Sequence, residues 1–243
     1  MNSRIINHLS ENYQKDHLTM LVIGPGRSEI VQMILLCKSI SQIDMVDHNV
    51  EALAFQKELL KNFTGKVNFY SDELAVDSPV SFIHGNYDLI LCTEVIEHVK
   101  DNARLLLKIK DLLANDGICF FSVPNGLIDK LLLRINKKYM QDENLLRGHV
   151  NFYSRGQFKK LLIKNGFKIN KLQSIGSEYS FFHLILVLCK IHIDEDTGQI
   201  LEQNSKGIMW GVRIKEMILK TYLNAILNLI VPRNFFAIVS KAD

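Results

Sequence analysis

Short apolar runs alternate with longer amphipathic stretches from residue 19 onward, and this alternation restricts the possible folds more than any other feature. The runs Met20–Ile23, Ile43–Val46 and Val67–Tyr70 predict strands, and the periodicity between them predicts helices over Ser28–Lys38 and Val50–Leu60. Strands that alternate with helices across short turns form a parallel sheet with helices on both faces. The sequence therefore predicts an α/β domain with a doubly wound, mostly parallel sheet.

The same alternation continues through the second half of the chain. Four further strands are predicted, over Tyr87–Cys92, Ile118–Val123, Phe167–Ile175 and Phe235–Ser240. A helix is predicted over Phe158–Lys164. Asp101 is the predicted N-cap of another helix, which runs through Leu113 and ends at Asp116-Gly117. We expect the last strand, Phe235–Ser240, to lie at the edge of the sheet.

A long excursion, from about Ser177 to Asn234, separates the last two predicted strands. It contains an apolar segment, Phe181–Ile191, and a helical pattern over Ile208–Ile230. These helices can pack on the domain or on a second subunit, as in a homodimer. They can also form an amphipathic surface that makes peripheral membrane contact and meets a lipid-linked substrate. We expect one domain over residues 1–243, with a core at about 19–176 and 234–241 and a helical insertion at about 177–233.

Composition and charge exclude several classes of protein. A chain of 243 residues, 47% of them hydrophobic, can bury a full core. A net charge of +3 is too small to predict a DNA-binding protein. The four cysteines are far apart in the sequence and are expected to be reduced thiols, as in a cytoplasmic protein. The N-terminal segment lacks the apolar stretch of a signal peptide, and no apolar run reaches the roughly 20 residues that span a bilayer.

A glycine-rich turn follows the first predicted strand. Gly24 and Gly26 allow a ligand to approach the backbone, and the next helix offers N–H groups to an anion. The second strand ends at Asp47, about 20 residues further on, where a carboxylate can bind both hydroxyls of a ribose. Asp47-His48-Asn49 also has the pattern of a helix N-cap, and the two roles are compatible at neighbouring positions.

The stretch CTEVIEHV follows the fourth predicted strand and concentrates polar side chains. If it turns helically, Glu94, Glu97 and His98 share one face. That face can bind a metal, act as acid and base, or simply contact water. His149 follows the fifth strand, which neighbours the fourth in this architecture, so we expect His149 to come within reach of the three side chains.

The order of four blocks, LVIGPG, MVD, YDLILCTEVIEHV and LLANDGICFFSVPNG, resembles the class I S-adenosylmethionine-dependent methyltransferases. The sequence looks most similar to the branch that includes the ubiquinone-biosynthesis O-methyltransferases and many bacterial small-molecule and sugar methyltransferases. The resemblance covers Met20–Gly176 and the last strand. It implies a Rossmann-like sheet of seven strands, S-adenosylmethionine as cofactor and a small-molecule acceptor.

The resemblance also implies cofactor-binding roles. The methionine moiety would lie against the glycine turn, Gly24, Pro25 and Gly26, and the ribose would bind Asp47. His48 would flank the adenine.

Asp72 would be the acid beside the adenine. Cys92 and Thr93, at the end of the fourth strand, would lie beneath the sulfonium. Two positions depart from the family pattern, because Val22 replaces an acid and Ser28 replaces a third glycine. Ser28 can instead cap the following helix.

The Glu-x-x-Glu-His pattern resembles the magnesium site of small-RNA 2′-O-methyltransferases. That resemblance implies magnesium or manganese bound by Glu94, Glu97, His98 and His149, with the metal lowering the pKa of an acceptor hydroxyl. Alternatively, His98 acts as a general base with Glu97 and without a metal, or the cluster only orients loops.

Three functions remain open at this point. The preferred one is O-methylation of a small-molecule, sugar or lipid-linked acceptor. An RNA ribose 2′-O-methyltransferase is the second, for which a run of lysines would form a basic face: Lys159, Lys160, Lys164, Lys168 and Lys171. The third is a non-catalytic cofactor-binding relative, which the departures at Val22 and Ser28 would allow.

Overall fold

The computed structural model describes residues 2–13, 15–72, 85–139, 148–176 and 232–242. The predicted segments Phe181–Ile191 and Ile208–Ile230 lie outside these residues. The chain divides into two compact units. The first contains Met1–Val123, Gln157–Leu172 and Phe236–Asp243, and the second contains Pro124–Gly156 and Gln173–Phe235. That the whole chain behaves as one domain stays a prediction.

Seven strands form one sheet, in the order β3-β2-β1-β4-β5-β7-β6. The strands are β1 Leu18–Ile23, β2 Ile40–Asp47, β3 Lys66–Ser71, β4 Tyr87–Thr93, β5 Leu113–Pro124, β6 Phe167–Ile175 and β7 Asn234–Lys241. The helices are α1 Asn2–Asn12, α2 Ile30–Leu35, α3 Val50–Leu59, α4 Asn102–Leu112, α5 Gly126–Tyr139 and α6 Arg155–Lys164. The first five strands pair in parallel, with β1 between β2 and β4. The predicted doubly wound α/β class is confirmed, and the strand order reverses between β1 and β4.

The last strand lies inside the sheet, so the expectation that it forms an edge was wrong. β7 is inserted between β5 and β6, and β6 is the edge strand. Burial explains the order. Phe235–Val239 is buried without interruption, whereas β6 is mostly half-buried or exposed. A continuous apolar run is typical of a strand covered on both faces.

The predicted end of α4 at Asp116-Gly117 was also wrong. The helix begins after Asp101, whose side chain accepts from the N–H of Arg104 at 3.1 Å, as predicted, but it ends at Leu112. β5 begins at the next residue, and Asp116 and Gly117 lie within it. The register between β4 and β5 shifts at this point, because extra residues of β5 bulge out of the ladder.

Two helices were not predicted from the sequence. α1 has a polar composition, but Ile5 and Leu9, four residues apart, are fully buried and form its apolar stripe. α5 follows β5 directly at Gly126. Among the described residues no helix is both long enough and apolar enough to cross a lipid bilayer.

The sheet also contains a buried carboxylate, Asp44 in the middle of β2. It accepts from Gln42 Nε2 at 3.0 Å, from Asn68 Nδ2 at 2.6 Å and from the hydroxyl of Tyr87. Burial first, and then the hydrogen bond to Asp44, raises the pKa of the Tyr87 phenol. The network links β2, β3 and β4, and it satisfies a charged group that burial would otherwise make costly.

Candidate functional site

The turn after β1 requires glycine at two positions. Gly24 and Gly26 have φ angles of +60° and +51°, in the left-handed region. A Cβ on Gly24 would lie 2.5 Å from Cγ2 of Val95, whereas a Cβ on Gly26 would meet no described atom within 4 Å. The turn therefore packs on the residues after β4 at Gly24, whereas the space beside Cα of Gly26 is open among the described residues.

Two polar side chains hold this turn, and one of them was not predicted. Gln56 in α3 is fully buried, and its Nε2 donates to the carbonyls of Gly26 at 3.0 Å and Ser28 at 2.8 Å. Asp47 Oδ2 accepts from the N–H of Gly26 at 3.3 Å. These contacts steady the loop although Val22, a buried apolar residue, stands where the family pattern described above has an acid. The sequence signal that could have identified Gln56 was a glutamine at a position where the periodicity of α3 predicts an apolar residue.

The predicted capping role of Ser28 is seen in a modified form. Its Oγ accepts from the N–H of Ile30 at 3.3 Å, and its own N–H donates to the carbonyl of Pro25 at 3.2 Å. The N-cap position itself is Glu29, whose side chain makes no capping hydrogen bond. Ser28 therefore supports the first turn of α2 from one residue further back.

Asp47 ends β2 beside the glycine turn. Its side chain is buried, and Oδ1 accepts from the N–H of Asn49 at 2.8 Å. Asn49 is the N-cap of α3, as the alternative interpretation of this stretch predicted. His48 Nδ1 lies 3.4 Å from Asp47 Oδ1, and the His48 side chain is 75% exposed. The N–H of Asp72 donates to the carbonyl of Asp47 at 3.1 Å, so the structure brings both predicted acids to the ends of neighbouring strands.

The end of β4 combines a buried thiol with a half-buried hydroxyl. Cys92 is fully buried, whereas Thr93 is partly accessible. Burial, and then the charge of Glu97, raises the pKa of the Cys92 thiol, which is therefore neutral. The thiols of Cys37 and Cys119 are free, as is that of Cys92. Cys189 lies outside the described residues. Of the two residues predicted beneath the sulfonium, only Thr93 presents side-chain surface.

The residues after β4 form a tight turn. The prediction that Glu94, Glu97 and His98 share one face of a helix was therefore wrong. Glu94 has a φ of +57°, which interrupts a right-handed helix at its first residue. Oε1 of Glu94 accepts from the hydroxyl of Ser122 on β5 at 2.5 Å. The N–H of His98 donates to the carbonyl of Val95 at 3.0 Å. Glu97 is buried and His98 is exposed, but a carboxylate oxygen of Glu97 and a ring nitrogen of His98 lie within 4.8 Å of each other.

His149 lies in the second unit, where it contacts Asp129, a partner that sequence analysis missed. Its Nδ1 is 3.2 Å from Oδ2 of Asp129, and Oδ1 of Asp129 forms an ion pair with Nη1 of Arg233. The α6 helix begins at Arg155, six residues after His149. A metal site that joins His149 to Glu94, Glu97 and His98 stays a prediction.

The lysines predicted as a basic face lie on α6 and on the edge strand β6, and all are exposed: Lys159, Lys160, Lys164, Lys168 and Lys171. A solvated surface and a binding face for RNA both agree with this placement.

Comparisons with known proteins identify the family. The sequence model of the methyltransferase domain matches residues 4–172. Over 107 residues the chain is 31% identical to (S)-coclaurine N-methyltransferase from Thalictrum flavum subsp. glaucum. That alignment covers 44% of this chain and 28% of the relative, so the chain spans under a third of that protein's length.

Two solved structures share the fold at low sequence identity. An S-adenosylmethionine-dependent methyltransferase from Clostridium acetobutylicum has a TM-score of 0.57 and 10% identity, covering 100% of this chain and 91% of the other. The small RNA methyltransferase HEN1 has a TM-score of 0.59 and 15% identity, covering 100% of this chain and 25% of the other. Because the family match extends over more than half of the sequence, the chain belongs to the methyltransferase-domain family of S-adenosylmethionine-dependent enzymes.

Proposed function

We propose that the protein transfers a methyl group from S-adenosylmethionine to a hydroxyl oxygen of a small-molecule, sugar or lipid-linked acceptor. One observation carries the proposal. The glycine turn after β1 packs against the polar turn after β4 through Gly24 and Val95. The two turns lie at the carboxyl ends of neighbouring strands, where ligands bind in open α/β sheets.

The residues of the glycine turn fit the cofactor. The space beside Cα of Gly26 is open, and the buried Asp47 carboxylate accepts one described hydrogen bond on each oxygen. Each carboxylate oxygen can accept two, so Asp47 retains the capacity to accept from two ribose hydroxyls. S-adenosylmethionine, when bound, supplies a methyl group on a positively charged sulfur. The protein's task is then to align the acceptor and to remove its proton.

His98 is the residue that we assign to proton removal. Its side chain is exposed in the turn after β4, within reach of an acceptor that enters from solvent. An imidazole titrates near neutral pH and can take a proton from a hydroxyl. Glu97 is buried next to Cys92, and a carboxylate at this position favours a cationic ligand. Magnesium or manganese bound by Glu94, Glu97, His98 and His149 remains an alternative way to activate the hydroxyl.

Two other functions have specific support. The similarity to a coclaurine N-methyltransferase supports a nitrogen acceptor. The fold shared with a small RNA methyltransferase, together with the exposed lysines of α6, supports an RNA acceptor. A non-catalytic relative is less well supported, because Gln56 and Asp47 steady the loop that Val22 and Ser28 alter.

Calorimetric titration with S-adenosylmethionine tests the cofactor assignment. Asp47→Ala should weaken binding by about 1–3 kcal/mol, because charge-assisted hydrogen bonds are lost. Glu51→Ala is the matched control, since Glu51 is an exposed acid close to the same turn, and its affinity should be unchanged. Equal affinities for the wild type and Asp47→Ala would remove the assignment.

Transfer of radiolabelled methyl groups to hydroxyl, amine and RNA acceptors tests the reaction. His98→Ala should lower turnover by roughly 10²–10⁴-fold with little change in cofactor affinity. Lys100→Ala is the control, because Lys100 is an exposed residue two positions after His98. Activity that survives a chelator excludes an essential metal, and RNA binding that weakens steeply with salt would favour the RNA acceptor. Full activity in both His98→Ala and Glu97→Ala would contradict the assignment.

A further inference from the structure

Gln56 is a polar residue on the buried face of α3. It is fully buried, and its neighbours on the same face, Ala52 and Leu53, are apolar. Its Nε2 has two hydrogens to donate, and it donates to two carbonyls, those of Gly26 and Ser28. Its Oε1 accepts from no described residue, so these two hydrogen bonds are what compensates the amide for burial. The glutamine therefore serves the turn after β1 and not the packing of the core.

Gly26 needs contacts of this kind, because glycine tolerates many backbone conformations. Its φ is +51°, and the space beside its Cα is open among the described residues, so crowding does not impose that conformation. Gln56 holds the Gly26 carbonyl at 3.0 Å, and Asp47 holds the Gly26 N–H at 3.3 Å. The carbonyl and the N–H belong to the peptide planes on either side of the Cα. The two contacts together therefore fix the backbone at Gly26.

The carboxylate of Asp47 is held unequally at its two oxygens. Oδ1 accepts from the N–H of Asn49 at 2.8 Å, whereas Oδ2 accepts from the N–H of Gly26 at 3.3 Å, which is longer than usual. The last side-chain torsion of an aspartate is broad, so the carboxylate can rotate about it. The plane of the carboxylate thus depends on where the N–H of Gly26 lies, and through it on Gln56.

The helix α3 connects the supports of both oxygens. Asn49, which holds Oδ1, is the N-cap of α3, and its side chain accepts from the N–H groups of Glu51 and Ala52. Gln56, which holds Gly26, lies about two turns further along the same helix. The position of Asp47 relative to the glycine turn is therefore set by one rigid element.

We infer that Gln56 is a positioning residue for ribose recognition. By holding Gly26 it sets the plane of the Asp47 carboxylate, so that each oxygen can accept from one of the two neighbouring hydroxyls of the cofactor's ribose. Paired hydrogen bonds to a carboxylate depend on this orientation, because both are made only in one plane. Gln56 acts through Gly26 and needs no contact with the cofactor. The inference rests on the proposed binding of ribose by Asp47.

Calorimetric titration of the full chain with two ligands tests the inference. One is S-adenosylhomocysteine, the demethylated form of the cofactor, and the other is its 2′,3′-dideoxy analogue, which lacks both ribose hydroxyls. The wild type should bind the first more tightly by roughly 10–100-fold, because charge-assisted hydrogen bonds are made to the hydroxyls. Gln56→Met keeps the length of the side chain and removes both donors. It should bind S-adenosylhomocysteine about 10-fold more weakly and the analogue as the wild type does, so the ratio of the two affinities falls.

Gln42→Met is the matched control. Gln42 is a half-buried residue near the start of β2, and its Nε2 donates to Asp44 at 3.0 Å. The same change there removes a hydrogen bond to an acid away from the glycine turn, and the ratio of affinities should equal that of the wild type. If Gln56→Met does not fold, Gln56→Glu takes its place. It retains the size of the side chain, and because a carboxylate cannot donate, the ratio should fall in the same way.

A ratio in the Gln56 variant equal to the wild-type ratio overturns the inference, whatever the change in overall affinity, because a residue that only stabilises the fold would weaken both ligands alike. The ratio in Asp47→Ala shows which assignment has failed. If Asp47→Ala loses the preference for the hydroxyls and Gln56→Met retains it, the role of Gln56 alone is wrong. If Asp47→Ala retains the preference, the ribose assignment itself is wrong, and the inference fails with it.

Discussion

Gly24 is subject to two independent constraints at the scale of a single residue. Its φ of +60° disfavours any side chain, and the space for a Cβ is occupied by Val95 at 2.5 Å. Gly26 has a comparable φ of +51° but faces open space among the described residues. The pair therefore separates backbone strain from steric exclusion within one turn.

Gly24→Ala should destabilise the protein by about 2–4 kcal/mol, through strain and overpacking together. Gly26→Ala should cost only the strain, about 1–2 kcal/mol. Urea unfolding measures both. Val95→Ala combined with Gly24→Ala should recover the steric part in a double-mutant cycle. Equal costs for the two glycine variants would show that the contact with Val95 has no energetic weight.

Glu94 is a second residue with an unusual backbone, because a non-glycine side chain adopts φ +57°. Its carboxylate is held by Ser122 across the β4–β5 ladder. Strain of this kind, of order 1–3 kcal/mol, persists where surrounding contacts impose it and is frequent at functional sites. The observation supports a functional role for the turn after β4.

At the scale of elements, Asp88 anchors the N-terminal segment to the start of β4. Its Oδ2 accepts from the N–H of Thr19 at 2.9 Å and from the Thr19 hydroxyl at 3.0 Å. Lys15 pairs with Oδ1, and the hydroxyl of Tyr13 donates to the Asp88 carbonyl at 3.2 Å. Burial alone would raise the pKa of the Asp88 carboxyl, but the hydrogen bonds from Lys15 and Thr19 together lower it.

This lowered pKa predicts a dependence of stability on pH. A carboxyl whose pKa is lower in the folded state contributes stability above its unfolded pKa, about 3.9, and loses it as the pH falls through the folded value. Asp88→Asn should therefore cost about 1–2 kcal/mol at pH 7, because Lys15 is partly screened by solvent, and progressively less below about pH 4.

Urea unfolding of the wild type and Asp88→Asn between pH 7 and pH 3 measures this difference. Asp116→Asn is the control, since Asp116 also lies near Lys15, at 3.4 Å, but is 72% exposed. A difference between the wild type and Asp88→Asn that stays constant with pH would contradict the ionic role of Asp88.

At the scale of the whole molecule, the excursion between β6 and β7 begins and ends at one place. The N–H of Arg233 donates to the carbonyl of Ile175 at 2.9 Å, so the two ends are already joined. Replacing residues 177–231 by a short Gly/Ser linker costs little in loop closure. We expect the shortened chain to fold and to bind S-adenosylmethionine.

The same deletion should abolish methyl transfer or alter the oligomeric state, because we predict that the excursion shapes the acceptor pocket or a homodimer interface. Cofactor titration, the transfer assay and light scattering measure the three properties. Limited proteolysis that released the segment as an independently folded fragment would contradict this prediction. Unaltered methyl transfer by a shortened chain whose oligomeric state is also unaltered would contradict it as well.

The elements that sequence analysis predicted correctly are those with a local signature. The seven strands from β1 to β7 lie where the apolar runs predict them, and β6 has the predicted bounds, Phe167–Ile175. The Gly24–Gly26 turn and Asp47 follow from short spacings along the chain. Periodicity and turn chemistry act within a few residues, so they can be read without knowledge of the fold.

Tertiary structure decided what depends on distant partners. The place of β7 inside the sheet follows from competition between strands for a position covered on both faces. Gln56 meets Gly26 across 30 residues, and Arg233 meets Asp129 across 104. Side chains so far apart become neighbours only when the sheet brings their elements together. The sequence alone therefore determined the class of fold and the glycine turn after β1, whereas the contacts that hold Gly26 and His149 arose from packing.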